Sequence, residues 1–432
     1  MAIKCFKQRI WSLGLILCGL VAPLAFGKNN ELVILTTFSS EPIEGLISEF
    51  KIKHPDTEVK VIHRRTQSAI QMLNKRFIQD IDMVLSSSPF LMQQLERRAQ
   101  LAQTPVKTIT PEWLSEFVLP PKDKVVSIGY SGAGVIWNQD YLKTYHLPLP
   151  TSFIDLTAPT YFGHITMSTP SRSGTTQMMI ESILTRYGWE QGWRIVLNIG
   201  ANLGTISSRS FGVSDYVAKG QFAIGPTIDS YAMILSRRFN HLGFAYDKDF
   251  TLMPTYVAQI SKNDSDEAVR QFIEFLISDS VQQNLQTISF SKHALNNPEL
   301  FNQQIPSLDL AIVMERETLV NQIFDNAITQ RLPGLQDSWA SIIKLQKQSQ
   351  DFPKQQQRLE QVAKILFTLP VSEKEIQQLS QQLNALEQDS NLLSGQKEAM
   401  IAEFNYRLNS KLDKNLELVQ QDLRAIQQEL MP

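Results

Sequence analysis

The chain has 432 residues, 43% of them hydrophobic and 19% charged, with 41 basic against 43 acidic side chains. That balance excludes the strongly basic surface of a nucleic-acid-binding protein, and the length suits two or three domains with substantial cores. Both cysteines, Cys5 and Cys18, stand in an N-terminal leader, so disulfides and thiol chemistry are excluded from the remainder.

In that leader Lys4, Lys7 and Arg9 precede an apolar segment at 10–20, and Ala25-Phe26-Gly27 supplies small residues where a signal peptidase cuts. Residues 1–27 read as a secretory signal peptide, and Leu17 before Cys18 argues against a lipid anchor. Its removal leaves a net charge of about −5. No later apolar run is long enough to span a bilayer, so an exported, periplasmic protein without membrane insertion is expected.

Leu32-Val33-Ile34-Leu35 is a short apolar strand, followed by the hydroxyl-rich Thr36-Thr37-Phe38-Ser39-Ser40, an amphipathic helix over 43–50 and a second strand, Val59-Lys60-Val61-Ile62. The pattern repeats with a helix over 68–79, a strand over 81–85, the loop Ser86-Ser87-Ser88-Pro89 and a helix over 91–99. In open α/β sheets ligands lie beyond the carboxyl ends of the strands. Thr37, Phe38 and Ser39, with Ser86, Ser87 and Ser88, are therefore candidate wall residues.

Gly129-Tyr130-Ser131-Gly132-Ala133 is close to a nucleophile-elbow pattern, but the β-like Val135-Ile136-Trp137 follows where that motif requires a helix. The segment 128–134 reads instead as a hinge crossing between two lobes. A strand-like lead at 164–167 then runs into Ser168-Thr169-Pro170-Ser171-Arg172-Ser173-Gly174-Thr175-Thr176, with helical spacing after it. Such a turn gathers unpaired N–H groups and the positive end of a helix dipole, which favours a phosphate or carboxylate. Arg172 adds a bidentate fork, and Ser171, Ser173, Gly174 and Thr175 surround it. Further on, Trp189 and Trp193 read as core packing, while Arg209, Asp229 and Tyr231 sit at loop and helix starts that would face the same cleft.

The ordered set Thr37-Phe38-Ser39, 82–87, 170–175, Gly188-Trp189 with Gly192-Trp193, and 220–225 resembles periplasmic solute-binding proteins of ABC-transporter type, in the ferric-binding-protein-like subgroup. Within it the chain is most similar to phosphoglycerate-transport regulators and hexose-phosphate-binding proteins. The resemblance implies an α/β, two-lobed type II fold with a hinge and no catalysis, the lobes being 28–127 with 236–350, and 128–235. It also implies a membrane partner, either an inner-membrane sensor kinase or an ABC permease. Iron-binding members carry adjacent tyrosines where this chain has only Tyr231, and the six histidines are scattered. No metal or cofactor is therefore expected, and a small phosphorylated metabolite is the expected ligand.

Past residue 350, glycine almost vanishes and Gln, Leu and Glu take over. Ser372 and Glu375 make a capping box, and apolar residues follow at three- and four-residue steps to Leu430. Residues 351–432 are expected as a helical hairpin or coiled coil, either reaching for a partner or folded back on its own lobe.

Overall fold

The computed structural model describes residues 30–73, 80–107, 110–118, 123–261, 266–288, 290–298, 300, 305–388 and 395–430. The leader at 1–27 and the end of the expected helix at 74–79 lie outside them. The chain begins β1 (Asn30–Thr36), α1 (Ser40–Lys53), β2 (Thr57–His63), α2 (Thr66–Leu73), β3 (Met83–Ser86), α3 (Pro89–Arg97) and β4 (Val125–Ser131). It continues with β5 (Ala133–Asn138), α4 (Gln139–Thr144), β6 (Ile165–Ser168), α5 (Gly174–Asn202), β7 (Leu203–Ser207), α6 (Ser210–Ala218), β8 (Ile224–Ile228), α7 (Asp229–Ser236) and β9 (Leu242–Tyr246). Then come β10 (Met253–Gln259), α8 (Asp266–Ile277) and α9 (Asp279–Gln282). The helices α10 (Leu310–Phe324), α11 (Leu332–Gln348), α12 (Pro353–Leu366), α13 (Glu373–Gln388) and α14 (Gly395–Leu430) close the described chain.

Two sheets result, in the orders β2-β1-β3-β10-β4 and β7-β6-β8-β5-β9. In each, three strands pair in parallel and one counter-running strand, β10 or β5, pairs antiparallel with its neighbours on both sides. Covered faces explain the continuous apolar runs: Leu32, Ile34 and Leu35 in β1 and all of β3 are buried. Because both sheets run parallel strands toward the same junction, their carboxyl ends meet there.

The chain crosses between sheets at Gly132, where β4 ends and β5 begins. A Cβ on Gly132 would stand 2.7 Å from the Tyr246 ring, so a larger residue would wedge the crossing. The return crossing lies between β9 and β10. The strands thus change lobe at 132 and after 246, beyond the expected borders at 127 and 235.

The C-terminal helices depart further from expectation. Residues 308–350 are expected in the first lobe; α10 packs on both α3 of that lobe and α5 of the second, and α11 packs on α5. Trp339 Nε1 donates to Asn202 Oδ1 at 2.7 Å, and Arg316 forks onto Glu181 at 2.6 Å. The tail joins the same layer, α13 lying mainly on α10 and α14 mainly on α11 and α12. Its stripe is buried there through Phe404, Leu408, Val419, Leu423 and Ile426, and Trp189 Nε1 donates to the Val371 carbonyl at 2.9 Å. An amphipathic stripe declares that it needs cover and does not say whose.

Candidate functional site

All six parallel strands deliver residues to one cleft between the lobes. From the first sheet, β1 leads to Thr37 and Phe38, β2 to Arg64, Arg65 and Thr66, and β3 to Ser87 and Ser88. From the second, β6 leads to Arg172, Ser173, Gly174 and Thr175, β7 to Arg209, Ser210 and Phe211, and β8 to Tyr231. The cavity they enclose is about 30 Å³.

Helix starts dominate the walls. Ser88 caps α3, its Oγ accepting from Leu91 N–H at 3.4 Å, and Ser173 caps α5, its Oγ accepting from Thr176 N–H at 3.1 Å. The two caps face each other across the cleft: a Cβ built on Gly174 would lie 2.6 Å from Ser88 Oγ. Only glycine allows the lobes to meet this closely. With α2 and α6 also starting at the wall, several positive dipole ends converge where negative charge is best accommodated.

Side-chain charge points the same way. The lining contains four arginines, 64 and 65 from the first lobe and 172 and 209 from the second, and no carboxylate. Arg209 lies 5.4 Å from the centre of the Phe211 ring. Burial pushes the Tyr231 phenol up to about 12, against the opposing influence of Ser210 and Arg209, so it stands as a neutral hydroxyl.

Of the residues singled out from sequence, Thr37, Phe38, Ser87, Ser88, Arg172, Ser173, Gly174, Thr175, Arg209 and Tyr231 come together here. Four do not line the cleft. Ser39 stands at the N-cap of α1 without a side-chain cap bond. Ser86 is fully buried behind the wall, where its Oγ bonds Thr37 Oγ1 at 2.7 Å and accepts from Ser88 N–H at 3.0 Å. Ser171 turns to Thr169, with 2.9 Å between the hydroxyls.

Asp229 is the larger correction. Its carboxylate turns back into the hinge, where Oδ2 accepts from Gly132 N–H at 2.7 Å and Tyr246 Oη at 3.2 Å and lies 2.9 Å from His293 Nε2. Lys292, equally buried, donates to Ser131 Oγ at 2.9 Å and Ser230 Oγ at 3.1 Å, so the two lobes are tied at the pivot. Burial pushes the Lys292 ammonium down to about 8, with Asp229 opposing. Ser131 is therefore a buried hinge residue, and the strand β5 follows it in place of a helix.

Sequence reasoning missed Arg64, Arg65, Thr66, Ser210 and Phe211. Their signal was present: a basic pair and a hydroxyl at the carboxyl end of β2, the same arrangement used to pick the neighbouring loops. β2 runs one residue past the expected end at Ile62, and α2 starts at Thr66, two residues before the expected Ser68, which brings this turn to the cleft. Register places it, since Thr36 of β1 pairs with His63 and Arg64 N–H donates to the Thr36 carbonyl at 2.9 Å.

A model of the family described as bacterial extracellular solute-binding protein matches residues 79–316. The phosphoglycerate transport regulatory protein PgtC of Salmonella typhimurium is 34% identical over 323 residues, covering 73% of this chain and 81% of PgtC. Among solved structures, the periplasmic binding protein AfuA of Actinobacillus pleuropneumoniae, with fructose-6-phosphate bound, aligns with TM-score 0.59 at 14% identity over 69% of this chain and 98% of AfuA. Iron-bound HitA of Pseudomonas aeruginosa aligns with TM-score 0.54 at 15% identity over 68% of this chain and 98% of HitA. The chain belongs to the bacterial extracellular solute-binding protein family, with the two-lobed type II fold and a C-terminal helical extension. No helix among the described residues is long and apolar enough to cross a membrane.

Proposed function

From that family membership, we propose that this solute-binding protein works in the periplasm, where it captures a small phosphorylated metabolite, phosphoglycerate or a similar phosphate ester, and presents it to an inner-membrane partner. The observation that carries this reading is the cleft lining of four arginines without a carboxylate, set among helix N-termini from both lobes. A phosphate dianion satisfies the arginine forks, the backbone N–H groups and the serine and threonine hydroxyls together. The name of PgtC supports the same ligand class and favours regulation, hence a sensor kinase as partner over an ABC permease. A ferric ion suits the cleft poorly, because Tyr231 is a neutral phenol and no carboxylate accompanies it. Ligand capture is read as the whole activity, without catalysis.

Calorimetric titration with 3-phosphoglycerate, phosphoenolpyruvate, glucose 6-phosphate, inorganic phosphate and Fe(III) tests the ligand class. Arg172→Ala should weaken phosphate-ester binding ten- to a hundredfold, the loss of a charge-assisted contact of about 1.5–3 kcal/mol. Unchanged affinity in that variant would remove the loop from the site.

A further inference from the structure

The turn at Arg64-Arg65, unread at the sequence level, differs from the other walls. The Ser88 and Ser173 caps, with Gly174, Thr175 and Arg172, gather backbone N–H groups, hydroxyls and one guanidinium, the mixed donor set that surrounds a tetrahedral phosphate. Arg64 and Arg65 instead bring two guanidinium groups in succession on exposed side chains. The backbone beneath them is fixed, with Arg64 N–H on the Thr36 carbonyl at 2.9 Å and the Arg65 carbonyl accepting from Ala69 N–H at 2.7 Å. One Arg64 nitrogen also donates to the His63 carbonyl at 2.8 Å. Planar forks on a rigid turn match a carboxylate, which accepts two parallel hydrogen bonds.

Charge balance supports a second anionic group. Two arginines on each lobe repel across the closed cleft, and a phosphate dianion offsets only half of their summed charge. A ligand carrying a carboxylate as well brings three negative charges to the same space. We infer that the Arg64-Arg65 turn is a carboxylate-reading subsite, so that the cleft selects short phosphorylated carboxylic acids over phosphate esters of neutral polyols. This rests on the phosphate-ester reading above and assigns to two residues the discrimination within that class.

The test pairs 3-phosphoglycerate with glycerol 3-phosphate, which differ by a carboxylate against a hydroxymethyl group, in titrations of the purified protein and of the Arg64→Gln/Arg65→Gln variant. The expected result is ten- to a hundredfold tighter binding of 3-phosphoglycerate by the parent. In the variant that gap should shrink to a few-fold, with the melting temperature held because both side chains are exposed. Equal affinities in the parent, or a gap that survives in the variant, overturn the inference while leaving a phosphate-ester receptor. Binding of neither ester by the folded parent overturns both readings.

Discussion

Arg316 and the four arginines of the cleft sit in opposite electrostatic settings. At the seam between α5 and the C-terminal helices, Arg316 is buried, forks onto Glu181 at 2.6 Å, reaches Glu373 at 3.0 Å and lies 5.6 Å from the Trp189 ring centre. Glu181 is itself fully buried, and burial pushes its carboxyl up against the opposing pull of Arg316. In the cleft, Arg64, Arg65, Arg172 and Arg209 line a space without any carboxylate among its walls. A charge neutralised within the chain is part of the architecture. A cluster left without counter-charge is addressed to something that arrives from outside.

Removing the seam altogether should give the largest effect. Deleting the chain from Pro353 onward removes Phe404, Leu408, Val419, Leu423 and Ile426 and uncovers the apolar faces of α10 and α11 that the deleted helices pack on, at about 1.5–3 kcal/mol for each large apolar side chain left exposed. That sum is of the order of a whole domain's stability. The fragment should aggregate or melt far below the full chain in a thermal scan. A cooperative melt near the parental temperature would show the helices to be detachable and would restore the idea of a tail kept for a partner.

A single cut within the seam is next. Glu181→Ala leaves Arg316 buried with only its partly exposed partner Glu373, which should cost about 3–5 kcal/mol in urea unfolding. Phosphate-ester affinity should be almost unchanged, in contrast to Arg172→Ala. Loss of affinity equal to that of the cleft variant would erase the distinction between the two settings.

Gly174→Ala sharpens the comparison from the cleft side. The added methyl would press on Ser88 at 2.6 Å and oppose closure without touching the seam, a strain of about 1–3 kcal/mol on the closed form. Affinity should fall several-fold or more, and small-angle scattering should record a smaller ligand-induced contraction than in the parent. Full contraction at the parental ligand concentration would show that the caps of α3 and α5 do not limit closure.

At the hinge the effect depends on pH. Because burial lowers the Lys292 pKa to about 8 from its ordinary value near 10.5, the unfolded chain binds more protons than the native one between those values, and stability should rise with pH across that window. Above pH 10 the trend should reverse, since burial raises Tyr161, Tyr187 and Tyr231 to about 12 and the unfolded phenols ionise first. Urea midpoints from pH 7 to 11 should show the rise, and Lys292→Met should abolish it.

Much of the cleft was legible because its logic is local. A hydroxyl-rich or basic turn between an apolar strand and an amphipathic helix carries its own meaning, and Arg172, Ser173, Gly174 and Thr175 could be picked on that ground alone. Asp229 was misplaced because a carboxylate at a helix start reads the same whether it faces the cleft or turns back to Gly132 and His293. His293, 64 residues further along, decides between them.

The sequence by itself determined the alternation of strand, hydroxyl loop and helix, the lone Tyr231 where iron binders carry adjacent tyrosines, and the amphipathic stripes of the C-terminal helices, since each follows from neighbours within a few residues. Only the tertiary structure decided that Gly174 meets Ser88, that Lys292 and Asp229 tie the lobes at Ser131 and Gly132, and that the C-terminal helices cover α5. Periodicity and capping act over one or two turns of chain. The choice of what covers a stripe or answers a buried charge is made between segments far apart in the chain, as between Glu181 and Arg316.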